Sequence, residues 1–111
     1  MRMWMINPHV MCRKHLLGEH VELHMLAGSL RRGRSVAGHL AKGQLEQAAM
    51  GRRHRALAAE MARRGYAHRS PLTVPPCAVV LGKFRVDAAR SRKDLAARCG
   101  ECRARMREAR R

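Results

Sequence analysis

Aromatic residues are scarce: Trp4, Tyr66 and Phe84 are the only three in 111 residues. That excludes the aromatic platforms on which single-stranded nucleic acid stacks base after base. Acidic residues are also few. Eight Asp and Glu stand against 24 Lys and Arg, leaving a formal charge of +16 that calls for a polyanionic partner, nucleic acid first. Twenty of the basic residues are Arg, so base composition of the gene could contribute, but it would not create the shortage of acids. No stretch approaches the ~18 consecutive apolar residues of a membrane span, and the apolar start MRMWMINPH is short for a secretory leader. The expectation is a cytoplasmic protein with no membrane partner. Four cysteines, Cys12, Cys77, Cys99 and Cys102, fit reduced thiols better than a disulfide scaffold.

The length suits one domain with a modest core, residues 1–111, ending in a basic tail over about 103–111. Residues 1–6 read as a short extended arm. Asn7-Pro8 is an N-cap followed by proline at the first helical position, so a long helix is expected from Pro8 to about Leu30. Ser35 caps a short helix over Val36 to Lys42, closed by Gly43. Helical periodicity returns from Glu46 to Arg64, with Met50, His54, Leu57 and Met61 on one apolar face and Gly65 just past the end. Tyr66 to Pro76 reads as loop, broken by Pro71, Pro75 and Pro76. Ala78 to Leu81 is a short apolar run of extended character, and Asp87 caps a last helix through about Arg98. The fold class is therefore all-α: a compact domain built on a long central N-terminal helix with two or three further helices.

The stretch Lys14 to Met25 carries the densest chemistry. His15, Glu19 and Glu22 fall on one helical face as a polar seam. Leu16, Leu23 and Leu30 border it on one flank, and Leu17, Val21 and Met25 on the other. A carboxylate between apolar stripes calls for a cation or a proton.

The residues His15-Leu16-Leu17-Gly18-Glu19 and Glu22-Leu23, behind a short N-terminal arm, resemble the pyrimidine dimer DNA glycosylases of the phage endonuclease V type. MCRKHLLGEHVELHML with Arg63-Arg64-Gly65-Tyr66 and HRSPL is similar to the bacterial branch of that family. The resemblance implies a metal-free, cofactor-free DNA repair enzyme with glycosylase and abasic-site lyase activity, acting on damaged double-stranded DNA at pyrimidine dimers or related lesions; the oligomeric state stays open, a monomer being favoured. It also implies that an N-terminal α-amine attacks C1' of the damaged nucleotide to form an imine, assisted by a glutamate. Carried over, the catalytic pair is Met1 and Glu22, with His15 and Glu19 supporting. Arg2 is too large to allow removal of the initiator, so Met1 is retained and Arg2 matches the arginine that follows the nucleophile. Val21 and Met25 stand where the phage enzyme has arginines, which moves phosphate contacts to Arg31, Arg32 and Arg34 or to the cluster around Arg52 and Arg53; Arg2 and Lys14 complete the expected nucleic-acid surface.

Other readings stay open. Glu22 could be a structural salt-bridge partner, and His15 a histidine satisfied by Glu19 or Glu22. His20 and His24 are four apart, but Val21 follows His20 where a zinc-protease helix needs Glu. Cys99 and Cys102 form one CxxC, read as a helix-terminating turn with two thiols; Cys12, Cys77 or a histidine could complete a zinc site with them. Two alternatives follow for the whole chain: a nonenzymatic nucleic-acid-binding protein on the same fold, or a zinc-stabilised interaction module. Trp4 is expected to pack the arm onto the central helix.

Overall fold

The computed structural model describes residues 2–68, 70–73 and 84–110, which form helices and no strands. Five α-helices follow one another: α1 (Arg13–Arg31), α2 (Ala37–Ala41), α3 (Met50–Arg63), α4 (Ala88–Arg98) and α5 (Gly100–Glu108). Short 3-10 turns at Pro8–Val10 and Gln47–Ala49 precede α1 and α3. The all-α expectation holds. None of these helices is long and apolar enough to cross a membrane. Cys77 and the run Ala78 to Leu81 lie outside the described residues.

The long first helix starts later than the Asn7-Pro8 signal suggests. Asn7 does cap, its Oδ1 accepting from His9 N at 3.0 Å, but what it caps is only the 3-10 turn. The chain then extends through Met11 and Cys12 (ψ 138° and 166°) before α1 begins. The cause is long-range: Cys12 N donates to Cys102 Sγ at 3.1 Å, a bond that a continuous helix would claim for itself.

One core unites the arm and the helices. Leu16, Leu23 and Leu26 of α1 meet Met50 and Leu57 of α3, Leu95 of α4, and Met3, Val10, Met11 and Leu45 from the connecting segments, all essentially inaccessible. The second apolar flank of α1 is a correction: Val21 and Met25 are 55 % and 52 % exposed. Helix α1 therefore sits at the rim of the bundle, one side of its polar seam sealed against α3 and the other open.

Local signals close the remaining helices. Gly43 (φ 66°) and Gly65 (φ 82°) take the left-handed conformation that an L side chain resists. At Gly65 the pattern is a Schellman motif, with Tyr66 N donating to Met61 O at 2.8 Å and Gly65 N to Ala62 O at 3.0 Å. Asp87 Oδ1 accepts from Arg90 N at 3.1 Å and caps α4. The expected basic tail forms a helix of its own, α5, because extended Cys99 (φ −130°, ψ 112°) ends α4 and N-caps α5 through its sulfur.

Candidate active-site cleft on helix α1

Glu22 lies half-buried in a cleft of about 340 Å³ lined also by Arg2, Trp4, Lys14, His15, Gly18, Glu19, Gln44 and Arg98. The N-terminal arm forms one wall. Met3 N donates to Gln44 O at 2.7 Å, and the Met3 side chain is fully buried with its sulfur accepting from Glu46 N at 3.3 Å. Trp4 is buried and meets the His15 ring edge-on, centroids 6.1 Å apart, so it packs the arm onto α1 as expected. One residue further in, Met5 holds φ at +58°, a conformation that costs a non-glycine residue about 1 kcal/mol or more and persists only where neighbours impose it. The result of these anchors is a direct bond from arm to carboxylate: Arg2 N donates to Glu22 Oε2 at 3.2 Å. Met1 itself lies outside the described residues.

Glu19, three residues before Glu22, has a different fate. It is 1 % exposed, and the Arg53 guanidinium binds both its oxygens, Nε to Oε2 at 2.6 Å and Nη2 to Oε1 at 2.8 Å. A fork-to-fork pair of this kind is strong where water is excluded, and each member needs the other. Arg53 also donates to Ile6 O, tying the arm to α3. Glu19 is thus one half of a buried ion pair, and Arg53, expected on the nucleic-acid surface, is 5 % exposed beside it. A signal for this existed in the sequence, since Arg53 falls on the buried stripe of Met50, His54, Leu57 and Met61.

A second internal carboxylate, Glu60, is held by Arg63 and Arg64 at 2.8 Å each and faces His9 at 3.5 Å. Burial opposes its ionisation, but Arg64, Arg63 and His9 together hold its carboxyl below the ordinary value. Arg64 also donates to Pro8, His9 and Met11 carbonyls, clamping the 3-10 turn to α3.

The expected basic surface divides. Lys14 is exposed at the cleft and Arg52 is exposed on α3. Arg31, Arg32 and Arg34 are exposed around a separate hollow with Val21, His24 and Met25, about 14 Å beyond Glu22 along α1 at 1.5 Å per residue. Arg2 lines both the Glu22 cleft and an adjoining one. Its guanidinium lies 3.9 Å over the Trp4 ring, donates to Ser91 Oγ at 2.9 Å and pairs with Asp94 at 3.6 Å, so it fastens the arm to α4. Sequence reading missed Lys42, Arg90 and Arg98, which line an adjoining cleft that shares Arg2, Gln44 and Arg98 with the first. Nothing in the pattern of α4 marks Arg90 or Arg98; the pairing of Arg2 with Ser91 and Asp94 is what brings α4 to the cleft.

Among the described contacts His15 bonds neither Glu19 nor Glu22, unlike the reading of it as a histidine satisfied by one of those carboxylates. Its Nδ1 faces sulfur, 3.2 Å from Cys12 Sγ and 3.7 Å from Cys102 Sγ. The donor atoms of Cys12, His15, Cys99 and Cys102 all lie within 4.8 Å of one another and could converge on a metal ion. Burial pushes the Cys102 thiol up to about 12, whereas at Cys99 burial is outweighed by hydrogen bonds from Cys102, Cys12 and Glu101, which lower it. A second convergence joins His20, His54 and His68, whose nitrogens are as close together. His68 Nε2 stands 2.8 Å from His20 Nε2 and 3.3 Å from His54 Nε2, lengths of shared N–H···N bonds. Burial first, then His24, His54 and His68, pushes His20 down to about 4, so His20 is neutral at pH 7.

No curated protein and no solved structure matches the chain. A family profile described as pyrimidine dimer DNA glycosylase matches residues 1–74, which span the arm, α1, the Glu22 carboxylate and α3. On that match over two thirds of its length, and with the arm docked on Glu22 in a basic cleft, the chain belongs to the pyrimidine dimer DNA glycosylase family.

Proposed function

We propose that this protein is a bifunctional DNA glycosylase and abasic-site lyase in which the α-amine of Met1 is the nucleophile and Glu22 the acid–base group. The observation that carries the reading is the bond from Arg2 N to Glu22 Oε2, one peptide unit from the proposed nucleophile. Family membership supports glycosylase action on damaged DNA. An α-amine has an ordinary pKa of about 7.7–8.0, so a usable neutral fraction exists at neutral pH where lysine has almost none.

The amine nitrogen attacks C1' as the bond from C1' to the damaged base breaks and the base leaves with that electron pair. Loss of the amine proton and opening of the sugar ring give a cationic imine, beside which the Glu22 carboxylate is a stabilising anion. Glu22 then takes a proton from C2', and the electrons expel the 3' phosphate by β-elimination. Hydrolysis of the imine returns the free amine. Access to C1' requires the nucleotide to leave the stack or the duplex to kink. Lys14 and Arg98 line the cleft with Glu22, and Lys42 and Arg90 line the adjoining one, a basic wall that supports phosphate binding. The lesion class in this reading is the cyclobutane pyrimidine dimer, with abasic sites processed by the same imine chemistry.

Borohydride trapping tests it. Protein with a free N-terminus is mixed with duplexes carrying a dimer or an abasic site, beside an N-terminally blocked form. The expected result is a reduced crosslink that maps to Met1 and disappears on blocking. Tight, salt-sensitive binding with no crosslink on either duplex would overturn the enzyme reading in favour of a nonenzymatic DNA-binding protein.

A further inference from the structure

Two short motifs from opposite ends of the chain meet beneath the cleft. Cys12-Arg13-Lys14-His15 opens α1 and Cys99-Gly100-Glu101-Cys102 opens α5. Each is a pair of soft or borderline donors separated by two residues, the spacing with which one turn of chain grips a metal ion. The structure describes all three of these cysteines as free thiols. Disulfide pairing does not explain the cluster, because Cys12 Sγ and Cys99 Sγ are 3.8 Å apart against about 2.05 Å in a bond.

Three of the six donor spacings lie close to those of a tetrahedron, and the rest are within 4.8 Å. Ligands about 2.3 Å (sulfur) and about 2.0–2.1 Å (nitrogen) from a tetrahedral ion lie about 3.8 Å apart as S···S and about 3.5 Å as S···N. The cluster has 3.8 Å between Cys12 and Cys99 sulfurs, and 3.2 and 3.7 Å from His15 Nδ1 to the Cys12 and Cys102 sulfurs. Main-chain N–H groups already point at two of the sulfurs, Cys12 N at Cys102 Sγ (3.1 Å) and Cys102 N at Cys99 Sγ (3.4 Å), the bonding that steadies thiolate ligands. We propose that Cys12, His15, Cys99 and Cys102 form a closed zinc site that fastens the start of α1 to the junction of α4 and α5.

Three thiolates and one imidazole in tetrahedral array favour zinc over harder divalent ions, and four protein ligands leave no position for a reacting water. The role is structural. Binding releases three thiol protons and leaves a centre of net charge −1 among the cations Arg13, Lys14, Arg98 and Arg103 that flank the ligands in sequence. The C-terminal helices lie beyond the 1–74 match, and the site ties them to a part of the chain inside it. This proposal is independent of the catalytic reading, since Glu22 and the arm are not ligands.

The full-length protein, purified without chelator, is measured for bound metal and by zinc K-edge X-ray absorption, and then loaded with cobalt(II) in place of zinc. The expected outcome is one zinc per chain with a shell of three sulfurs and one nitrogen, and a cobalt form with thiolate charge-transfer bands and tetrahedral d–d bands. Stripping the metal should shift the melting midpoint down. His20→Ala with His68→Ala, which dismantles the imidazole cluster, should leave the spectrum unchanged, while Cys99→Ser should weaken the thiolate bands by about a third. Absence of stoichiometric metal with all four cysteine thiols titrating freely, or a nitrogen-only shell, would overturn the proposal; both results come from the unmodified chain and do not depend on a variant folding.

Discussion

The two sides of α1 treat chemically identical groups in opposite ways. On the α3 side Glu19 is sealed with Arg53 and cut off from water; on the arm side Glu22, one turn later, opens into a basic cleft and accepts only a main-chain N–H in the structure described. Position in the seam does not distinguish them. What distinguishes them is the partner: a guanidinium holds both oxygens of Glu19, whereas Glu22 accepts one main-chain N–H at 3.2 Å and faces the cleft.

That contrast can be broken from either side. The largest effect is expected at Glu22: Glu22→Gln should lower single-turnover cleavage of abasic duplex by about 10²–10⁴-fold while leaving the denaturation midpoint nearly unchanged. Glu19→Leu should do the reverse, costing about 3–5 kcal/mol in urea unfolding because Arg53 is left charged and unpaired. The double replacement Glu19→Leu with Arg53→Met should recover most of that loss, since a buried pair is often no better than an apolar one.

A smaller effect separates the sides by pH. His20 is held neutral by burial and by His24, His54 and His68, with Arg55 opposing charge on His54. Its folded value of about 4 lies below the unfolded 6.5, so below pH 6.5 the unfolded chain binds protons that the folded one refuses. Stability present above pH 6.5 should therefore fall as pH drops toward about 4, by about 2 kcal/mol, and His20→Phe should flatten the profile measured by urea melts. The smallest effect is in salt dependence: Arg98→Ala should reduce the slope of log affinity against log salt by about 1, measured by fluorescence anisotropy. Arg53→Met, in whatever fraction folds, should leave that slope alone.

Much of this architecture was legible in the chain. Local chemistry announced itself: the caps at Asn7 and Asp87, the left-handed glycines 43 and 65, and the apolar stripe of α3 all stand where their residue types predict. What failed to show was any feature whose cause lies far away in sequence. The interruption at Met11 and Cys12 depends on Cys102, the sealing of Glu19 on Arg53, and the turning of His15 toward sulfur on α5. Arg53 was one arginine among several on its helix, and only its place on the apolar stripe set it apart. Likewise a lone CxxC says little until the Cys12–His15 spacing is read beside it. In the cleft, Glu22 and Lys14 were accessible to motif reading, whereas Arg98 entered it, and Lys42 its neighbour, only through packing.

The arm works as a ruler with two fixed marks. Met3 and Trp4 each fill a separate buried place, and the left-handed turn at Met5 prevents the segment from sliding by one residue without exposing both. The distance from these marks to Glu22 is then set by the covalent chain alone, at about 3.3–3.6 Å per extended residue. On the proposed mechanism, even a two-residue remnant of an affinity tag would carry the terminal amine some 7 Å past its target, a distance of about two such residues. Such a protein would fold, bind DNA and look inactive. Only material whose first residue has been verified can report on this enzyme's chemistry.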